Sequence, residues 1–201
     1  MKNLRKGLVH LRRDPILAVQ IAKFGVINYQ QPKDRFENLV STIIGQQLSN
    51  KAADTIYERV LSLFPNRKID PDWILNLESS KFRAAGTSWA KIRSLKDLSQ
   101  KILDKSVLLD QLDLMTDDQV ISHLTQVKGI GPWTAQMKLM FTLHRPDVMP
   151  VDDRGIQNAM IKLYGLKDGK KLTTNMLKTS NSWRPYRTLA CWYLWKSLDN
   201  K

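Results

Sequence analysis

A glycine turn and a pair of acids are the residues of this chain best suited to chemistry. The turn is Val127-Lys-Gly-Ile-Gly-Pro-Trp-Thr-Ala135, and the acids follow in Pro150-Val-Asp-Asp-Arg154. Glycine lets the main chain come close to a phosphate oxygen, and the start of the helix behind it is electropositive. The N–H groups around Gly129 and Gly131, with the Thr134 hydroxyl, therefore form a grip for a DNA phosphate. Carbonyls of the same turn, at Thr125, Val127 and Ile130, offer oxygens to a Na or K ion that would stiffen the loop. A carboxylate beside a polyanion is repelled unless it has a task, so grip plus acid points to chemistry on DNA. Such a carboxylate can stabilise positive charge growing on a sugar, or activate a water. Asp152 and Asp153 both stand where a loop enters a helix, where capping is the ordinary use of an acid. The string alone does not choose between them.

The charge balance agrees with an anionic partner. Lys plus Arg number 32 against 19 Asp plus Glu, a formal net charge of +13 over 201 residues, which favours nucleic acid. Cys191 is the sole cysteine. That excludes a disulfide framework, a Cys-rich zinc site and a four-thiolate iron–sulfur cluster built from this chain. Its place in an apolar run makes it a small core residue. No apolar window is long enough for a membrane span and no signal peptide is visible, so an intracellular protein without membrane contact is expected.

The elements that must position the turn and the acids read as helices throughout. Asp14-Pro15 caps and opens a helix that stops near Gly25. Asp34-x-x-Glu37 reads as a capping box for a helix to about Gly45, with Phe36, Leu39, Val40, Ile43 and Ile44 at core spacing. Ser49 caps the next helix, Asp70-Pro71 starts a short one, and Ser80 to Ala85 forms another. Ser88 to roughly Leu103 carries Trp89, Ile92, Leu95, Leu98 and Ile102 on one face. Thr116 caps the helix before the glycine turn and Pro132 opens the one after it, a helix-hairpin-helix. Further helices are expected from about Asp153 to Tyr164, over Thr174 to Ser182, and over Arg184 to Leu198. The predicted fold is all-α, about ten short helices in two packed lobes around a cleft, forming a single domain over residues 1–201. The absence of any strand pair excludes a Rossmann or barrel fold.

On these residues the chain resembles the superfamily of base-excision DNA glycosylases named for its helix-hairpin-helix, Gly/Pro-rich loop and Asp (HhH-GPD). Two further motifs, Ile44-Gly-Gln-Gln-Leu-Ser49 and Trp183-Arg-Pro-Tyr-Arg187 with Trp195, resemble its alkylated-purine branch, the 3-methyladenine DNA glycosylase II type. The resemblance covers about residues 35 to 198. It makes Asp153 the catalytic acid, because the family's acid is followed by two residues and an apolar one, as in Asp153-Arg-Gly-Ile156; Asp152 is then the capping neighbour. It makes Gln47 a wedge in the duplex gap left by a flipped nucleotide, with Leu48 and Ser49 beside it. Trp195 matches the position that stacks on the extruded base, and Trp133 and Met137 are expected in the same pocket.

The resemblance also bears on mechanism. Members that cut the backbone carry a lysine at the position of Trp133, so a monofunctional hydrolase that leaves an abasic site is implied, with no required cofactor. The implied substrates are alkylated purines such as 3-methyladenine and 7-methylguanine, with ethenoadenine and hypoxanthine open, in double-stranded DNA bound by a monomer. Two departures stand out. Lys128 replaces the usual proline, and only about thirty-five residues precede the core, too few for the separate N-terminal sheet domain of some members. A non-catalytic helix-hairpin-helix module would use the same charge and turn but give Asp153 and Trp195 nothing to do. A glycosylase for another lesion is the second alternative.

Overall fold

A computed structural model describes residues 2–27 and 34–198 of the chain. Among them are twelve α-helices and three short 3-10 turns, with no strand. The helices are α1 (Lys2–Leu11), α2 (Pro15–Phe24), α3 (Arg35–Gly45), α4 (Asn50–Leu61), α5 (Pro71–Asn76), α6 (Ser79–Ala84), α7 (Trp89–Leu103), α8 (Asp117–Leu124), α9 (Pro132–Phe141), α10 (Arg154–Tyr164), α11 (Leu172–Ser180) and α12 (Arg187–Lys196). The all-α expectation holds. None of the described helices is long and apolar enough to cross a membrane. The described residues group into two compact units, 34–135, and 2–27 with 136–198.

In the first unit α7 packs against α3 and α5, and α3 against α4. The caps that start these helices are local. Asp34, Ser49, Asp70 and Ser88 each accept the main-chain N–H three residues on, which satisfies a donor the helix itself cannot use. Ile43, Ile44, Leu95 and Leu98 are 1% exposed or less, and each such side chain contributes roughly 2 kcal/mol of burial. Two expectations change here. Glu37 does not reach back to complete a capping box; its carboxylate accepts the Tyr57 hydroxyl on α4 instead, joining the two helices and, with burial, pushing the Tyr57 phenol upward. Trp89 is 53% exposed. As the first residue of α7 it lies beyond the core and meets the Arg83 guanidinium, 5.5 Å from its ring.

The second unit packs α12 on α2 and α10, and α10 on α11. Asp14 is its hub. One carboxylate oxygen caps α2 at Ile16 and Leu17 and takes the Tyr164 hydroxyl at 3.0 Å, while the other takes Trp183 Nε1 at 2.9 Å. Trp183 and Tyr193 are at most 1% exposed, so these two aromatics build the core. The segment expected to be helical from Arg184 starts only at Arg187, after a 3-10 turn that ends at Trp183. Helix α1 was not foreseen: it has no acidic residue in its first turn. Cys191 is buried, as expected, and burial pushes its thiol upward.

Candidate active site

The hairpin runs from α8 through residues 125–131 into α9. Thr116 and Gln119 close a capping box at the start of α8, and Val127 and Ile130, 1% and 3% exposed, plug the turn into the core. Ile130 N–H donates to the Val127 carbonyl at 3.0 Å. Gly129 has φ +81°, and a Cβ there would lie 2.3 Å from Ser94 Oγ on α7. Glycine is thus demanded twice, by the backbone and by the close approach of α7. Among the described residues, the main-chain N–H groups of Gly129, Gly131 and Thr134 have no hydrogen-bond acceptor.

Helix α7 also clamps the turn through Asp97. Its Oδ2 accepts Lys128 N–H at 2.8 Å, and its Oδ1 lies 3.1 Å from Lys101 Nζ and 3.6 Å from Lys128 Nζ. Burial alone would raise the Asp97 carboxyl, but these donors and charges hold it below the usual carboxylate range. A proline at this position would lack the N–H that Asp97 accepts, so the lysine is fitted to its neighbour. Thr134 corrects an expectation. It is 4% exposed, and its hydroxyl lies 3.5 Å from Gln46 Nε2, so the side chain is turned inward rather than toward a phosphate.

The turn after α3 lies beside the hairpin in the same unit. Leu48 N–H donates to the Gly45 carbonyl at 3.2 Å, Gln46 has φ −51° and ψ 131°, and Gln47 has φ 57°. That is a type II turn with glutamine where glycine is preferred. Gln47, Leu48 and Ser49 are exposed at its tip, and Ser49 also caps α4. Gln46, Gln47, Leu48, Gly129 and Trp133 line a groove of about 600 Å³. Trp133 is 43% exposed there.

The acid lies in the other unit. Asp153, 8% exposed, is the cap of α10: its Oδ1 accepts Ile156 N–H at 2.8 Å. The same oxygen accepts Trp195 Nε1–H at 2.8 Å. Asp152 is exposed and is not the helix cap, which corrects the division of labour expected for the pair: Asp153 caps the helix and also stands as the candidate acid. Gly155 makes the contact possible, since a Cβ would sit 3.0 Å from both Asp153 Oδ1 and Trp195 Cδ1. The Trp195 ring packs on Phe141, with centroids 5.7 Å apart, and Phe141 meets Trp192 edge-on at 6.0 Å. Met137 is half-buried on α9. Phe141, Gln46 and Asp97 were missed in the sequence. Helical spacing marks Phe141 only as core, and nothing local marks the other two.

Residues 40–185, more than half of the chain, match the model of the HhH-GPD superfamily base excision DNA repair protein. The chain belongs to this family. Among HhH-GPD relatives, the DNA-3-methyladenine glycosylase 1 of Schizosaccharomyces pombe is 37% identical over 171 residues, 83% of this chain and 74% of that protein. The DNA-3-methyladenine glycosylase of Saccharomyces cerevisiae is 34% identical over 178 residues, and the chain spans 59% of its length. The solved structure of the Schizosaccharomyces pombe 3-methyladenine DNA glycosylase in complex with abasic DNA aligns with a TM-score of 0.84 at 34% identity, covering 96% of both chains. A DNA-3-methyladenine glycosidase from Bacillus halodurans aligns at 0.82 and 36% identity, over 95% of this chain and 88% of that one.

Proposed function

We propose that this HhH-GPD chain is a monofunctional DNA glycosylase that flips alkylated purines, 3-methyladenine and 7-methylguanine among them, out of duplex DNA and hydrolyses the N-glycosidic bond. The observation that carries the reading is the fixed Asp153 carboxylate, held on one oxygen by Ile156 N–H and Trp195 Nε1–H. A carboxylate orientated by two donors needs no reorganisation as charge develops, and that is where electrostatic catalysis gains most. An alkylated purine is cationic, so its bond to the sugar is already weakened and the leaving base needs little protonation. Asp153 then stabilises the oxocarbenium-like sugar while water completes the displacement, as in other glycoside cleavage.

The remaining residues supply binding. Main-chain N–H groups of Gly129, Gly131 and Thr134 take a phosphate, and Gln47 and Leu48 fill the gap in the duplex. Trp195 and Trp133 offer indole faces suited to a cationic base. Trp133 stands where a lyase of this family has its lysine, so no Schiff base forms and the product is an abasic site. A Na or K ion on the carbonyls of Thr125, Val127 and Ile130 belongs to the same proposal; neutral oxygens suit a hard monovalent ion, and Val127 O keeps a second lone pair beyond its bond to Ile130 N–H.

The test is release of free base from methylated duplex DNA by the wild type and by Asp153→Asn. Asparagine also caps helices, so the variant keeps the start of α10. The expected result is release of 3-methyladenine and 7-methylguanine by the wild type, reduced roughly a hundredfold or more in the variant with DNA binding retained. Equal release by both would overturn the role of Asp153. Salt-sensitive duplex binding with no release by either would leave a binding module or another lesion.

A further inference from the structure

Gln46 has no task in the sequence reading, yet it makes the one side-chain link described between the Gly45–Leu48 turn and the hairpin turn. Its Nε2 donates to the Gly129 carbonyl at 2.9 Å and lies 3.5 Å from Thr134 Oγ1. The next residue, Gln47, is the exposed one with φ 57°. The end of α3 just before the turn is fixed from α7, where Lys91 Nζ donates to the Ile44 carbonyl at 2.8 Å. The hairpin is fixed from the same helix, through Asp97 to Lys128 N–H at 2.8 Å. Both turns therefore stand on α7, and Gln46 closes the third side by joining them to each other.

We propose that Gln46 is a positioning residue: it locks the tip that carries Gln47 to the phosphate-gripping hairpin, so that wedge and grip engage the duplex in one fixed register. The proposal rests on the reading of those two turns given above. Its physical basis is a near balance. A left-handed glutamine is held only where its surroundings over-determine it, and a single amide–carbonyl hydrogen bond is of the same order as that strain. Without the bond, the turn relaxes and the wedge loses its aim while the grip keeps its N–H groups.

Two near-isosteric variants test this, Gln46→Met, which keeps the length without a donor, and Gln46→Glu, which replaces the donor with an acceptor. One readout is the fluorescence of 2-aminopurine placed next to a tetrahydrofuran abasic analogue in duplex DNA, which reports wedge insertion and needs no catalysis. The others are single-turnover release of 7-methylguanine at saturating enzyme, affinity and salt slope on undamaged duplex, and melting temperature. Both variants should lose most of the fluorescence change and roughly tenfold in single-turnover rate, with undamaged-duplex affinity, salt slope and melting unchanged. A merely structural role would move melting and affinity together instead, and that result overturns the proposal. So does wild-type behaviour of both variants. If the wild type gives the fluorescence change without releasing base and the variants lose it, the positioning role stands and the glycosylase reading fails. If the wild type gives no fluorescence change, the wedge itself is refuted, whatever base it releases.

Discussion

Trp195 Nε1–H and Ile156 N–H converge on a single oxygen of Asp153, each at 2.8 Å, although Trp195 is 42 residues away in the chain. Trp195 therefore has a role beside the base stacking proposed for it. It sets the direction of the carboxylate, and Gly155 keeps the helix backbone low enough for the indole to reach it.

Trp195→Phe separates the two roles. Phenylalanine keeps an aromatic face and the packing on Phe141 but has no N–H to give. A hydrogen bond to a charged group is worth about 1.5–3 kcal/mol, so base release should fall roughly tenfold or more in single-turnover rate. Full activity in this variant would mean that the indole acts by its face alone.

Gln47→Gly should uncouple stability from function. Gln47 holds φ 57° in the turn position that favours glycine. Relief of that strain is partly offset by the greater freedom of glycine in the unfolded chain. Urea unfolding should show a gain of up to about 1 kcal/mol, with the 2-aminopurine response and base release both reduced. A variant that loses stability would show that the turn is not strained as its φ indicates.

Gly129→Ala should fail on two counts, the positive φ and a Cβ 2.3 Å from Ser94 Oγ. A loss of about 2 kcal/mol in thermal or urea unfolding is expected, together with weaker binding to undamaged duplex in a fluorescence anisotropy titration. Adding Ser94→Ala removes the nearest atom but leaves the backbone strain, so the pair should recover only part of the stability. Complete recovery would assign the whole cost to the clash.

His123 gives the fold a pH dependence. Its Nε2 accepts Leu108 N–H at 2.8 Å, a bond that requires that nitrogen unprotonated, and burial lowers its pKa below 6.5. The unfolded chain therefore takes up the proton first. The contribution of His123 is complete above the unfolded value and is lost as pH falls through the lowered folded one. Unfolding free energies of wild type and His123→Gln, compared at about pH 7.5 and about pH 5, should show the larger acid loss in the wild type. Parallel losses would exclude the histidine as the cause.

How much was legible in advance follows from the range of each interaction. Helix starts at Asp14, Ser49, Asp70, Ser88 and Thr116 were readable because a cap bonds an N–H two or three residues on. The glycine turn was readable because φ +81° at Gly129 is written in the residue itself. What depended on distant partners was not. Glu37 had the spacing of a capping box, but Tyr57 on the neighbouring helix took its carboxylate. Trp89 had core spacing, but the place where α7 leaves the core decides its exposure, and no local pattern contains that.

The sequence by itself determined an all-helical chain, a hairpin able to meet a phosphate, and an acid downstream of it, since each is a property of a few consecutive residues. Only the tertiary structure decided that Trp195 supplies Asp153 with a second donor, and that Asp97 and Gln46 brace the hairpin. Those hydrogen bonds join atoms 31 to 83 residues apart. Their geometry is fixed by how helices pack, and helix packing depends on the whole set of buried side chains at once.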